Sequence, residues 1–173
     1  MSFSSIRLKT PVGDLQVSVD LLAGFQPEAS LEIFAFEPVL PQGMSVAACF
    51  AVVLHLPGGE IDAQVRLIAT LLPVVPVEGG AETGQGLEAQ SWRGEKHLVL
   101  VGTEDAEFLE ARLPSQIRLA NDSFAYEPHS FSLNFTRTRG AIPVEVHLWW
   151  PGTNFLNRRS VRAGTQSTKC MHR

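Results

Sequence analysis

The amino-acid sequence predicts a mainly β protein: an antiparallel β-sandwich or barrel of about ten strands, with one short helix near 103–113. Three observations carry the prediction. Apolar and polar residues alternate with a period of two in several separate runs, the signature of half-buried strands. Clusters of Pro and Gly separate those runs, as turns require. A single window carries the start and stop signals of a helix.

Taken in order, segment 4–9 is a first, weak strand. Leu15, Val17, Val19 and Leu21 then alternate with Asp14, Gln16, Ser18 and Asp20. Segment 30–37 follows, and Pro38 and Pro41 mark a loop. Segment 46–56 is apolar on both faces, as expected of a strand covered on each side. In segment 61–72, Ile61, Ala63, Val65, Leu67, Ala69 and Leu71 oppose Asp62, Gln64, Arg66 and Thr70, with Ile68 as the exception. Pro57-Gly58-Gly59 lies between these two runs. Gly-Gly suits the positive φ of a tight turn, so the two runs are expected to pair as a central hairpin. Pro73 and Pro76 break the chain, and residues 77–86, VEGGAETGQG, read as a flexible connection.

Segments 87–93 and 96–101 are further strands. The helix would be capped by Thr103, with Glu104 and Asp105 at its positive end and Pro114 closing it. Ala106, Leu109 and Leu113 share its apolar face. Segment 115–120 and the alternation of Phe131, Leu133 and Phe135 with Ser130, Ser132 and Asn134 give two more strands. Segment 142–150 is the last, with Pro151-Gly152 as its stop. The expected organisation is one β-rich domain over 1–157 and a basic, polar tail over 158–173, RRSVRAGTQSTKCMHR. That tail has too little apolar content to order itself in isolation.

Bulk properties narrow the function classes. The chain has 173 residues, 45% hydrophobic and 18% charged, which is globular composition. Its longest apolar run, Val46–Leu54, is nine residues, about half of a membrane span. No membrane partner is expected, and the N-terminus lacks the apolar core of a secretion signal. Two cysteines, Cys49 and Cys170, do not make a disulfide framework, which favours a reducing cytoplasm. Arginine outnumbers lysine 11 to 3, a bias that points to a GC-rich, bacterial genome. The net charge of −4 conceals an asymmetry: residues 1–136 carry 7 bases and 17 acids, and residues 137–173 carry 7 bases and one acid. Such a basic end suits an acidic partner, nucleic acid, or the protein's own acidic body.

No motif assembles an active site or calls for a cofactor. Gly79–Gly86 lacks the Lys-Ser/Thr pair of a phosphate-binding loop. Gly43-Met44-Ser45 runs into a strand, the wrong context for a strained nucleophile. His55, His97, His129 and His147 are scattered without the spacing of a metal site. Glu104, Asp105, Glu107 and Glu110 have the spacing of a solvated helix face. The acidic body and the lack of a recognition motif weigh against nucleic acid.

The preferred site lies on the last strand. Val144, Val146, Leu148 and Trp150 form its apolar face, whereas Glu145, His147 and Trp149 share the opposite one. Trp149 therefore needs separate cover, from the C-terminal segment or from a partner. Trp and Arg are enriched at binding hot spots, so Trp149, His147, Glu145, Phe155, Arg158 and Arg159 form the candidate binding set. The leading expectation is a non-enzymatic, cytoplasmic protein-binding module of adaptor, chaperone or toxin-neutralising type. Two alternatives stand beside it: a β-barrel or sandwich holding a small apolar ligand, and an enzyme using Glu145 and His147, where the carboxylate orients the imidazole.

Overall fold

The computed structural model describes residues 2–23, 29–37, 45–84, 86–140 and 143–154, with the backbone alone at 2–4, 22–23, 45–48, 144 and 147–154. Eleven strands and one helix follow in chain order: β1 (Ser2–Thr10), β2 (Gly13–Ala23), β3 (Ser30–Phe36), β4 (Ser45–Leu56), β5 (Ala63–Pro73), β6 (Glu78–Gly84), β7 (Leu87–Arg93), β8 (Leu98–Thr103), α1 (Ala106–Arg112), β9 (Ile117–Glu127), β10 (Ser130–Arg137) and β11 (Val144–Asn154). They form two antiparallel sheets, β1-β2-β5-β10-β9 and β3-β4-β11-β8-β7-β6. This is the sandwich form of the expected architecture.

Alternation places the core. Val17 and Val19 of β2, Val65, Leu67 and Leu71 of β5, and Phe131, Leu133 and Phe135 of β10 turn inward from the first sheet. Val52, Leu54 and Leu56 of β4, Trp92 of β7, Val99 and Val101 of β8, and Val146 of β11 meet them from the second. Each fully buried side chain of this size contributes about 1.5–3 kcal/mol. Strand β4 is also covered on its outer face, where Cys49 and Val53 are buried, so its two-sided apolar pattern is accounted for. Two polar links add direction to the packing. Trp92 Nε1 donates to the Pro128 carbonyl at 2.9 Å, joining β7 to the β9–β10 turn. The Tyr126 hydroxyl donates to the Glu88 carboxylate, joining β9 to β7.

Four local expectations need correction. Strands β4 and β5 are not a hairpin, because they belong to different sheets. The Pro57-Gly58-Gly59 stretch carries the chain across the sandwich, and Gly59 pairs instead with Gly140. Residues 78–84 are not a loose connection but strand β6, held to β7 along its whole length. That strand shows no apolar period because nearly all of its residues are exposed. Backbone pairing holds it, joined by hydrogen bonds from Ser91 Oγ to Glu82 Oε1 at 2.8 Å and to the Gly80 carbonyl at 3.2 Å. The helix cap is Asp105, whose carboxylate accepts from Phe108 N at 3.0 Å, while Thr103 is buried at the end of β8. Finally, Pro151-Gly152 does not stop β11, which continues to Asn154 beside β4 and meets β8 at Gly152 and Thr153.

Candidate functional site

Register fixes what stands on the outer face of β11. Glu145 pairs with His55, His147 with Val53, and Trp149 with Ala51. Val146 is buried in the core and Glu145 is exposed, so positions 147 and 149 keep the strand phase of Glu145. Beyond this phase, the His147 and Trp149 side chains are outside the described set. Phe155, Arg158 and Arg159 lie outside the described residues altogether.

Among the described side chains, an imidazole that meets Glu145 is that of His55. Its Nδ1 lies 3.3 Å from Glu145 Oε1, and its Nε2 lies 3.6 Å from Glu32 Oε2. The half-buried ring thus sits between β3 and β11 with both nitrogens turned toward carboxylates. Nδ1 approaches Glu145, whereas Nε2 is buried and has no hydrogen-bond partner among the described residues, so the cluster ties β4 to β11 and leaves one ring nitrogen unsatisfied. Sequence spacing could not reveal this cluster, because its members come from three strands that only register brings together. Two rungs further along, Phe34 and Ala51 pair, and Ala51 pairs in turn with Trp149. Phe34 is 50% exposed there.

A second surface was missed by the sequence reading. At one end of the sandwich, Val74 N donates to the Val12 carbonyl at 3.0 Å and Leu71 N donates to the His129 carbonyl at 2.8 Å. The first bond ties the β5–β6 connection to the β1–β2 turn, and the second ties the end of β5 to the β9–β10 turn. Gly94, in the β7–β8 turn, lies against Val12 and Val75. On this anchored platform Leu72, Val74 and Val75 are 44%, 76% and 43% exposed, and Pro73 and Pro76 are exposed between and beside them. The signal was present as LLPVVPV, Leu71–Val77, seven residues without a polar side chain. Reading its prolines only as chain breakers hid it.

Other features carry less chemistry. A shallow depression, open to solvent, is lined by Gly58, Gly59, Glu60, Arg139 and Gly140, mostly backbone. Among the described residues no group of three or more His, Cys, Asp and Glu is arranged to hold a metal ion. No helix among them is long and apolar enough to cross a membrane. Glu107 and Glu110 are exposed on α1, the solvated face expected of them, whereas Glu104 is largely covered ahead of the helix and pairs with Arg112 at 2.9 Å. Comparison with protein-family models, characterised proteins and solved structures finds no match for this chain.

Proposed function

We propose that this protein is a non-enzymatic binding module that recognises another protein through the apolar ridge Leu72–Pro76. One observation carries the reading: a run of large apolar side chains stands in water on a connection that is tied down by backbone hydrogen bonds. Contiguous exposed apolar surface marks interaction sites, and a fixed ridge loses little conformational entropy on docking. A cytoplasmic setting accords with the cysteine usage. The interior gives the apolar-ligand alternative less support, since side chains from both sheets meet in one buried cluster.

The test compares wild type with a Val74→Ser/Val75→Ser variant by cross-linking in native lysate followed by peptide mapping. The expected result is a cross-link from the ridge to a defined partner that disappears in the variant. Identical cross-links in both would defeat the reading. A second surface is favoured by Phe34, exposed on the rung it shares with Ala51 and position 149. If that face is the one used, Phe34→Ser or Trp149→Ala abolishes the cross-link and the ridge variant does not.

A further inference from the structure

We propose that the outer edge of β6 is a docking site for an extended, arginine- or lysine-rich segment of a partner protein, which adds to the second sheet as a seventh strand. The inference rests on the reading of this protein as a binding module and places a distinct contact on it.

Among the described residues, strand β6 is the terminal strand of its sheet and pairs with β7 on one side only. In an antiparallel edge strand every second residue turns both its N–H and its C=O away from the sheet. Natural edges are usually protected by lysines, prolines, bulges or covering segments. Strand β6, EGGAETG, holds no lysine or proline, and its pairing with β7 runs without a register shift. Six of its seven residues are exposed. Its side chains are small apart from Glu78 and Glu82, so an incoming backbone meets little steric obstruction.

Charge selects the occupant. Residues 78–112 carry eight acids and three bases. Arg93 stands across from Glu78 in the ladder and Arg112 holds Glu104 at 2.9 Å, which offsets one acid for each base and leaves the acidic excess in place. Helix α1 lies against the β6–β7 turn, where Gly86 N donates to Asp105 Oδ2 at 3.0 Å. Glu107 and Glu110 are exposed on the same helix. Phe108, 55% exposed, stands beside Gly86 and offers a ring face to an apolar or guanidinium side chain. A second copy of this acidic edge is disfavoured by like-charge repulsion. An extended basic strand satisfies the open backbone groups and the carboxylates together, the mode known as β-strand addition.

The experiment uses the full-length protein and an octapeptide of alternating arginine and valine. Binding is followed by titration, and the site by backbone amide hydrogen exchange. The peptide should bind and slow exchange at alternate residues of β6. N-methylation of every second peptide amide, which leaves charge intact, should weaken binding at least tenfold. Glu78→Gln/Glu82→Gln should weaken it several-fold and flatten its dependence on salt. Val74→Ser/Val75→Ser should leave peptide affinity unchanged, so the ridge and the edge can fail separately. Equal binding of the N-methylated peptide, protection on a different strand, or self-association through β6 in place of peptide binding would overturn the proposal.

Discussion

The two sheets solve the same packing problem by different means. In the first, β2 and β5 bury every second residue, almost all of them aliphatic, while β10 buries Ser132, Asn134 and Arg137 besides Phe131, Leu133 and Phe135. In the second, β7 and β8 bury Gln90, Ser91 and Thr103 together with Trp92. Strict aliphatic alternation belongs to β2 and β5 of the first sheet. Strand β10 in that sheet and β7 in the second rely on particular hydrogen bonds as well, from Arg66 Nε to Asn134 Oδ1 at 2.7 Å and from Trp92 Nε1 to the Pro128 carbonyl at 2.9 Å. The second also contains both exposed features of its own, the Phe34 rung and the β6 edge, and the ridge lies on the connection that leads into it. Interaction surfaces thus gather where the alternation is least regular.

The largest effect should come from the side chain that joins the sheets. Trp92 is fully buried, and its indole N–H reaches the Pro128 carbonyl. Trp92→Ala should cost about 3–5 kcal/mol through the cavity it leaves, measured by denaturant unfolding. Trp92→Phe keeps much of the volume but leaves that carbonyl without its donor. If Trp92→Phe keeps the stability of the wild type, the hydrogen bond contributes nothing and the contrast between the sheets weakens.

A smaller but still large loss is expected in the turn beneath the ridge. Gly13 has φ +152°, and a Cβ there would overlap the Leu72 carbonyl oxygen and lie 2.7 Å from Pro73 Cα. Gly13→Ala should therefore cost about 1–3 kcal/mol in backbone strain and displace the ridge. Gly80, on the open edge, is the control: its added Cβ would find Ser91 Oγ at 3.6 Å as its nearest neighbour. Gly80→Ala should change stability by no more than about 0.5 kcal/mol. Thermal unfolding of the two variants separates a constrained glycine from a tolerant one.

The Glu88–Tyr126 link gives a pH-dependent test. Burial, followed by the hydrogen bond and the charge of Glu88, pushes the phenol above its ordinary pKa of 10.0. The folded state therefore holds the proton more tightly than the unfolded chain. The resulting stability is fully present below pH 10.0, the ordinary value, and is lost as pH rises above it. Tyr126→Phe should cost about 1 kcal/mol at neutral pH and should remove part of the alkaline loss. An alkaline unfolding limb identical in both proteins would show that the pair does not stabilise the joined sheets.

What could be read in the sequence follows the same division. The β2 and β5 patterns were legible because each strand has one dry face and one wetter one; β10 was legible from its apolar alternation, although Ser132 and Asn134 on its other face are buried too. The edge strand β6 was not, since backbone bonds hold it and exposed side chains leave no period. The β4–β5 crossing was misread because Gly-Gly is compatible with a hairpin locally, while partner choice is settled by the whole sandwich. Of the candidate site, Glu145 is exposed on the expected face. Its imidazole partner, His55, is distant in sequence, and only strand order brings the two together. The ridge was legible as composition but not as exposure, because an apolar run reads equally well as buried.

The smallest effect on stability belongs to the ridge itself, and it bears most directly on function. Val74 and Val17 are the same residue type, one 76% exposed and the other fully buried. Val17→Ser would leave a hydroxyl without a partner inside the core and should destabilise strongly. Val74→Ser removes two methyl-sized contacts that face water, so it should shift stability by no more than about 0.5 kcal/mol. A side chain that can be made polar without loss of fold is held for a reason other than folding. Should Val74→Ser instead unfold the protein at a clearly lower temperature, the ridge would be part of the core, and the proposed binding function would lose its site.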